Sequence, residues 1–316
     1  MMRVAILDDY QGAAGDHADW SRLEGRAELT MFHDVVSDEN RLAERLAGFD
    51  VICLMRERTA FPASLIQRLP KLKLLVTTGM GNAAIDLDAA RQAGIVVCGT
   101  HGSGHGTAEL AFGLILALAR GLVPEVRSLS SGGWQQRVGR DLAGARLGIV
   151  GLGRLGGKLA EFGNAFGMDV LAWSENLKPE GATEKGARRV DKSELFASSD
   201  FVSLHLRLSE RTVGIVGSRE LRAMKRDAYL LNTARAQLVD QVALIEVLRA
   251  GRIAGAALDV FDVEPLPVAH PLRSVPNLLM TPHLGYVTRE NYRTFYGETL
   301  EAVEAWLDGA PVRVIS

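Results

Sequence analysis

The sequence predicts an α/β protein of two lobes built on parallel sheets, and three observations lead there. Short apolar runs alternate with amphipathic helical patterns along nearly the whole chain. The runs are almost continuously apolar, the pattern of strands covered on both faces. At 316 residues the chain is long enough for two cores of ordinary size.

Taken in order, "RVAILD" (3–8), "DVICLM" (50–55), "LKLLVTT" (72–78) and "GIVVCG" (94–99) are the strands of a first lobe. The glycine-rich "GTHGSGHGTAEL" (99–110) reads as a joint, not a helix. That leaves His101 and His105, four apart, without the helical geometry of a metal pair, so no metal site is expected. The following "LAFGLILALA" (110–119) is a buried helix, too short to span a bilayer. "ARLGIVGLG" (145–153), "MDVLAW" (168–173), "DFVSLHL" (200–206), "AYLLNTA" (228–234), "IAGAALDV" (253–260) and "NLLMTPH" (277–283) are the strands of a second lobe. In "VDQVALIEVLRAGRI", Asp240 caps a helix, Val242, Leu244, Ile245 and Leu248 form its apolar face, and Gly251 closes it. Ser193 and Ser218 are capping candidates for two shorter helices. "TRENYRTFYGETLEAVEAWLDG" (288–309) is a long final helix. If that helix returns to the first lobe, residues 1–103 and 285–316 form one domain and residues 104–284 an inserted second one. Two connections make a hinge, and a hinge makes a cleft.

Composition removes several classes of function. Lys+Arg 36 against Asp+Glu 38 leaves a net charge of -2 with no block of like charge, which argues against nucleic acid and membrane surfaces as partners. The two cysteines, Cys53 and Cys98, each sit in an apolar strand-like run and read as buried thiols in a reducing compartment. With no apolar leader at "MMRVAILDDY", a soluble, cytoplasmic protein is expected.

"ARLGIVGLGRLGGKLAEFG" carries Gly151, Gly153 and Gly156 as G-x-G-x-x-G between a strand and a helix, with a second strand following within about 30 residues, as a dinucleotide fingerprint requires. Gly151 permits the tight turn, Gly153 lets the backbone approach a pyrophosphate, and Gly156 lets helix and strand pack closely. The helix N-terminus offers unpaired N–H groups to the anion. At the end of the second strand, where a carboxylate would bond the adenosine ribose, stand Ser174 and then Glu175. Serine admits a 2′-phosphate, but Glu175 opposes it, so NAD is favoured over NADP with both left open.

A dinucleotide lobe beside a cleft predicts hydride chemistry. That chemistry needs a group to hold the substrate's carboxylate and carbonyl, a proton donor, and a partner to tune the donor. Candidates belong at the carboxyl ends of strands. Arg235 follows "AYLLNTA", and its fork suits the coplanar oxygens of a 2-oxo or 2-hydroxy acid. Glu264 follows the strand carrying Asp259, and a carboxylate beside an imidazole holds its tautomer and favours its charged form. His283, in "MTPHLGYVT", follows the next strand and is the proton carrier.

The run from "GLGRLGGKLA" through "NTARAQLVDQVAL", "ALDVFDVEPLP" and "TPHLGYVT" resembles the D-isomer-specific 2-hydroxyacid dehydrogenase family over essentially the whole chain. The resemblance implies a Rossmann-type doubly wound parallel sheet inserted into a flavodoxin-like α/β substrate domain. It implies reversible NAD(P)-linked interconversion of a small 2-oxo acid and its D-2-hydroxy acid, with Arg235, Glu264 and His283 as the catalytic set. It extends the cofactor-binding set to Thr107, Arg154, Leu155, His205, Leu206, Arg207, Thr212, Thr233, Ala234, Asp259 and Gly285, with Asp259 at the nicotinamide amide. On the substrate side it implies Gly79 and the backbone N–H groups of Met80 and Gly81. Apart from the resemblance, Met55 and Arg56 in "LMRERTAFP" follow a strand of the first lobe and read as facing the cleft, Arg56 as a second anion contact. It further implies a homodimer formed through the nucleotide-binding domain, with "SSGGWQQRVGRDLAG" (130–144) as an arm. Ser174, Tyr286, Arg207, Ala236 and Ala83 depart from the family's usual residues, which bears on cofactor and substrate preference more than on chemistry. Two rival readings are a nucleotide-sensing binding protein akin to co-repressors, with negligible turnover, and a methyltransferase, which explains the glycine loop but gives Arg235, Glu264 and His283 no work.

Overall fold

The computed structural model describes residues 1–316, which divide into two compact units, residues 1–103 with 288–316, and residues 104–287. The second crossing lies three residues beyond the expected one. The turn ending there belongs to the inserted unit, because Gly285 N–H donates to Asp259 and Thr107 Oγ1 donates to the Gly285 carbonyl.

The first unit holds five parallel strands, β1 (Met2–Ile6), β2 (Ala27–Met31), β3 (Val51–Leu54), β4 (Leu74–Thr77) and β5 (Val96–Gly99), in the order β2-β1-β3-β4-β5. β3 and β4 are buried along their full length, which is why they read as unbroken apolar runs. β2 did not read as a strand, because only Ala27 of its five residues is buried and the rest alternate with polar side chains at the sheet edge. At the other edge the chain end adds to β5: Gly99 N–H donates to the Arg313 carbonyl (2.9 Å) and Ile315 N–H to the Val97 carbonyl (2.7 Å).

The second unit holds seven parallel strands, β6 (Arg146–Val150), β7 (Asp169–Trp173), β8 (Arg188–Arg189), β9 (Phe201–Leu204), β10 (Tyr229–Asn232), β11 (Gly255–Leu258) and β12 (Leu278–Met280), in the order β12-β11-β10-β9-β6-β7-β8. Alternate side chains feed the two faces: Leu230 packs with Leu204, Phe196 and Leu244 on one side, and Leu231 with Ile149, Leu159 and Ile115 on the other. Each such side chain contributes roughly 1.5–3 kcal/mol through burial. The strand order reverses between β6 and β9, and in an open parallel sheet that reversal is where ligands bind.

Three local readings need correction. The helix carrying the apolar stretch begins at His105 and runs to Arg120, so the joint is shorter than expected; Gly104, at φ +68°, makes the entry turn. Ser218 is the first residue inside its helix and accepts from Arg222 Nε instead of capping it, and the helix containing Ser193 is preceded by Asp191. Asp240 does cap, accepting from Ala243 N–H (3.1 Å), and Gly251 follows the helix at φ +58°. No single helix is long and apolar enough to cross a membrane. The helices His105–Arg120 and Leu122–Ser130 together reach that length, but they are bent by 61° to each other, and the first buries Ala111, Phe112 and Ile115 in the core. Cys53 and Cys98 are buried free thiols.

Candidate active site

Arg235, Glu264 and His283 come from three adjacent strands. Asn232, Leu258 and Met280 stand in register across β10, β11 and β12, so the residues leaving those strands emerge at one sheet edge, about 4.8 Å apart per strand. His283 lies three residues beyond β12 at φ +52°, a left-handed turn conformation closed by its N–H on the Thr281 carbonyl (2.9 Å).

That turn is built on a buried carboxylate. Asp259 is fully buried; its Oδ1 accepts from Thr281 Oγ1 (2.6 Å) and Leu284 N–H (2.7 Å), and its Oδ2 from Gly285 N–H (2.8 Å). Burial raises the Asp259 pKa while these three donors pull it down. A carboxylate offers about four acceptor positions, so one remains, on Oδ2. A side chain at 285 would stand 3.2 Å from both Asp259 and Thr107, and the glycine keeps this corner closed.

On this turn the His283 ring meets Glu264: Nδ1 to Oε2 is 2.7 Å, and both side chains are about a quarter exposed, at 21% and 26%. The other Glu264 oxygen accepts from Phe261 N–H (2.9 Å), which fixes the carboxylate. An ionised carboxylate only accepts, so Nδ1 carries the hydrogen and Nε2 is the nitrogen left to exchange a proton. Tyr286 packs edge-on against the imidazole, centroids 5.1 Å apart. Arg235 follows β10 in extended backbone, its carbonyl held by Asn232 Nδ2 (2.8 Å) and one guanidinium N–H on the Ala234 carbonyl (2.8 Å).

The glycine loop fits a dinucleotide. Gly151 has φ +101°, and a Cβ there would stand 2.8 Å from the His205 backbone at the neighbouring strand end. A Cβ on Gly156 would stand 2.1 Å from the Gly151 carbonyl, whereas one on Gly153 would meet nothing within 4 Å. Two glycines therefore serve packing, and Gly153 keeps an open approach to the N-terminus of the helix Arg154–Ala165, which no side chain caps. Leu155 is half-buried in the first turn of that helix. Just past β10, the buried Thr233 hydroxyl has no hydrogen-bond partner, a site suited to a ligand's polar group.

The remaining expected cofactor residues line the same edge. His205 bonds Ser203 Oγ through Nε2 (2.9 Å), and burial pushes its pKa down to about 4, so it is neutral. Leu206 and Ala234 pack against the core. Thr212 Oγ1 donates to the Arg207 carbonyl (2.8 Å), shaping an exposed turn. Ser174 follows β7 directly, half-buried, with Glu175 exposed. No sequence pattern marks Lys185, whose Nζ donates to the Leu152 carbonyl (2.8 Å) and, at 3.4 Å, to that of Gly153. It brings a cation to the loop from a turn more than thirty residues on.

The expected substrate residues of the first unit lie at the ends of β3 and β4. Met55 does not face outward: it is 1% exposed, with the Thr78 hydroxyl on its sulfur. The residue that follows this fully buried strand keeps its apolar side chain inside as well, so Met55 does not face a cleft as expected. Arg56 sits at φ +55°, its N–H on Thr78 Oγ1 (2.8 Å) and its Nη1 on the Thr78 carbonyl (3.1 Å). A Cβ on Gly79, itself at φ +94°, would stand 1.9 Å from that Nη1 and push the guanidinium off the turn. Met80 and Gly81 are exposed at its tip. Of the two hinge histidines, His101 bonds Glu298 and His105 opens a helix.

A strand-end constellation over a dinucleotide loop defines the class, a nucleotide-binding α/β protein of the dehydrogenase type. A family model described as "D-isomer specific 2-hydroxyacid dehydrogenase, NAD binding domain" matches residues 112–285. The chain is 36% identical over 99% of its length to a D-3-phosphoglycerate dehydrogenase of Archaeoglobus fulgidus, of which it spans 58%. It is 41% identical over 72% of its length to a glyoxylate reductase of Thermococcus litoralis, of which 71% is covered. The crystal structure of a phosphoglycerate oxidoreductase from Vibrio cholerae superposes with a TM-score of 0.93 at 41% identity, over 98% of this chain and 100% of that one. The chain belongs to the D-isomer-specific 2-hydroxyacid dehydrogenases, a family of nicotinamide-dependent oxidoreductases.

Proposed function

We propose that this protein interconverts a small 2-oxo acid and its D-2-hydroxy acid, with NAD(H) as the preferred coenzyme. The observation that carries the reading is the 2.7 Å bond between His283 and Glu264, at the edge of a sheet whose switch point bears the glycine loop.

In this reading the second unit is the dinucleotide-binding domain and the first the substrate domain. Gly151, Gly153 and the N-terminus beginning at Arg154 and Leu155 receive the pyrophosphate, Ser174 and Glu175 the adenosine ribose, and Thr107, His205, Leu206, Arg207, Thr212, Thr233, Ala234 and Gly285 line the rest. Asp259 offers its one remaining acceptor position to the nicotinamide amide. The bound coenzyme supplies or accepts the hydride at the substrate's C2. Arg235 holds the carboxylate and polarises the carbonyl, while on the first unit Gly79 and the N–H groups of Met80 and Gly81 receive the acid, the Arg56 guanidinium being engaged by Glu57 and the Thr78 carbonyl. His283 delivers a proton from Nε2 to the carbonyl oxygen as charge develops there, and Glu264 stabilises the protonated ring that supplies it and holds its tautomer. Reduction needs the ring protonated and oxidation needs it neutral, so the two directions are expected to have opposite pH preferences. Glu175, exposed after β7, supports NAD over NADP by opposing a 2′-phosphate, and Lys185, a cation at the loop, works the other way.

A homodimer is part of the same reading. The helix Leu122–Ser130 buries none of its residues, and Leu122, Val126 and Leu129 are exposed at helical spacing with Trp134 and Val138. We also take the protein to act in the cytoplasm, where its buried thiols stay reduced.

The test is a panel of 2-oxo acids assayed with NADH and NADPH. His283→Ala should lower kcat by about 10²–10⁴-fold. Intact turnover in that variant would overturn the mechanism, and coenzyme-dependent protein association without turnover would favour a sensor.

A further inference from the structure

We propose that the acid taken by this site carries no anionic group beyond its own carboxylate, and that Glu57 is the specificity-determining residue that enforces this by occupying Arg56. The inference rests on the reading that the β3 and β4 ends of the first unit receive the substrate. A phosphate-bearing acid would need several donors there and at least one uncompensated cation.

The first unit supplies two arginines at this edge, and both are engaged by acceptors of the same unit. Arg56 spends its Nη1 on the Thr78 carbonyl, and its Nε lies 3.7 Å from Glu57 Oε2. The two side chains are only 23% and 22% exposed, so the pair is poorly screened by solvent. Arg58 donates Nη1 to the Asp8 carbonyl (2.6 Å), and its guanidinium lies 4.2 Å above the Tyr10 ring.

Further acid lies behind them at the end of β1, which neighbours β3. Asp8 is 1% exposed, and Thr59 Oγ1 donates to both of its oxygens (3.0 and 2.8 Å). Asp9 is fully buried and accepts from the N–H groups of Ala13 and Ala14 and from Tyr296 Oη. Lys73, by contrast, precedes β4 and bonds Asp50, so it stands at the opposite end of the sheet. Beyond the N–H groups of Met80 and Gly81, which the acid's own carboxylate takes, a phosphate brought to the strand ends of this unit meets carboxylates and engaged guanidinium groups. A hydroxyl, a hydrogen or a short apolar tail meets no such opposition.

The test is a fluorescence titration of the full chain with bound NADH, using D-glycerate and 3-phospho-D-glycerate as unreactive probes of the ternary complex. D-glycerate is expected to bind at least tenfold tighter. Glu57→Gln, with an unchanged melting temperature, should tighten 3-phospho-D-glycerate severalfold and leave D-glycerate within twofold. Equal or tighter binding of the phosphorylated acid by the unaltered protein, or failure to bind either acid, would overturn the proposal. A Glu57→Gln effect equal on both ligands would remove the role assigned to Glu57. Discrimination without turnover on any 2-oxo acid would leave this inference standing and sink the dehydrogenase reading instead.

Discussion

Two titratable side chains, half-buried His205 and buried Asp8, pull the stability of this protein in opposite directions with pH. His205 has its pKa lowered from 6.5 to about 4 by burial. Between those values the unfolded chain holds the proton and the folded one does not, so its contribution is full above pH 6.5 and lost as pH falls through 4, about 3 kcal/mol in all. Asp8 has its pKa raised from 3.8 to about 6, mainly by burial; its contribution is full below pH 3.8 and lost as pH rises through 6. Asp8→Asn, which keeps an acceptor for Thr59, should raise the melting temperature at pH 8 and leave it nearly unchanged at pH 4. His205→Gln should flatten the loss of stability between pH 6.5 and 4, read by urea titration at each pH. Gly156→Ala would press a methyl group against the Gly151 carbonyl, 2.1 Å away in the present geometry. Loss of NADH binding by at least tenfold is expected, measured by nicotinamide fluorescence. The pairing of His283 with Glu264 was legible because both follow consecutive apolar runs. The three donors on Asp259 were not, since a sequence does not say which backbone N–H groups a turn aims inward.

The elements were legible in proportion to how deeply they are buried. The ten apolar runs all became strands, with ends trimmed by a few residues, while β2 and β8 escaped notice. Both are edge strands: β8 is the exposed pair Arg188–Arg189, and β2 buries a single side chain. An edge strand buries less and needs no continuous apolar run, so the criterion that finds a central strand passes over it. Helix starts show the same limit. Asp240 was recognised because its carboxylate reaches Ala243 N–H. Ser218 was misassigned by one residue because Glu220 secures Gly217 N–H at that helix start (3.0 Å). Asp240→Ala should cost about 1 kcal/mol, read as a lower denaturant midpoint. The helix Gln241–Arg249 follows Arg235 in the chain, so the same variant should weaken substrate binding more than coenzyme binding.

Across the whole molecule, the exposed apolar stripe of the helix Leu122–Ser130 and the irregular segment 133–141 form an apolar surface that a lone chain leaves uncovered. Arg140 fastens that segment to the body through Asp200 (3.0 Å), so it is held in place. Val126→Glu with Leu129→Glu should convert dimers to monomers in analytical ultracentrifugation with little change in melting temperature; a monomeric parent protein would refute the dimer. The hydrogen bond from Thr107 to the Gly285 carbonyl (2.8 Å) has another consequence. It clasps the two severed stubs of the inserted sheet to each other, so the excursion from Gly104 to Val287 begins and finishes at one spot. Cut out as a free-standing cassette, that stretch already has its own interior and a fastened mouth, and it should refold by itself and still capture NADH.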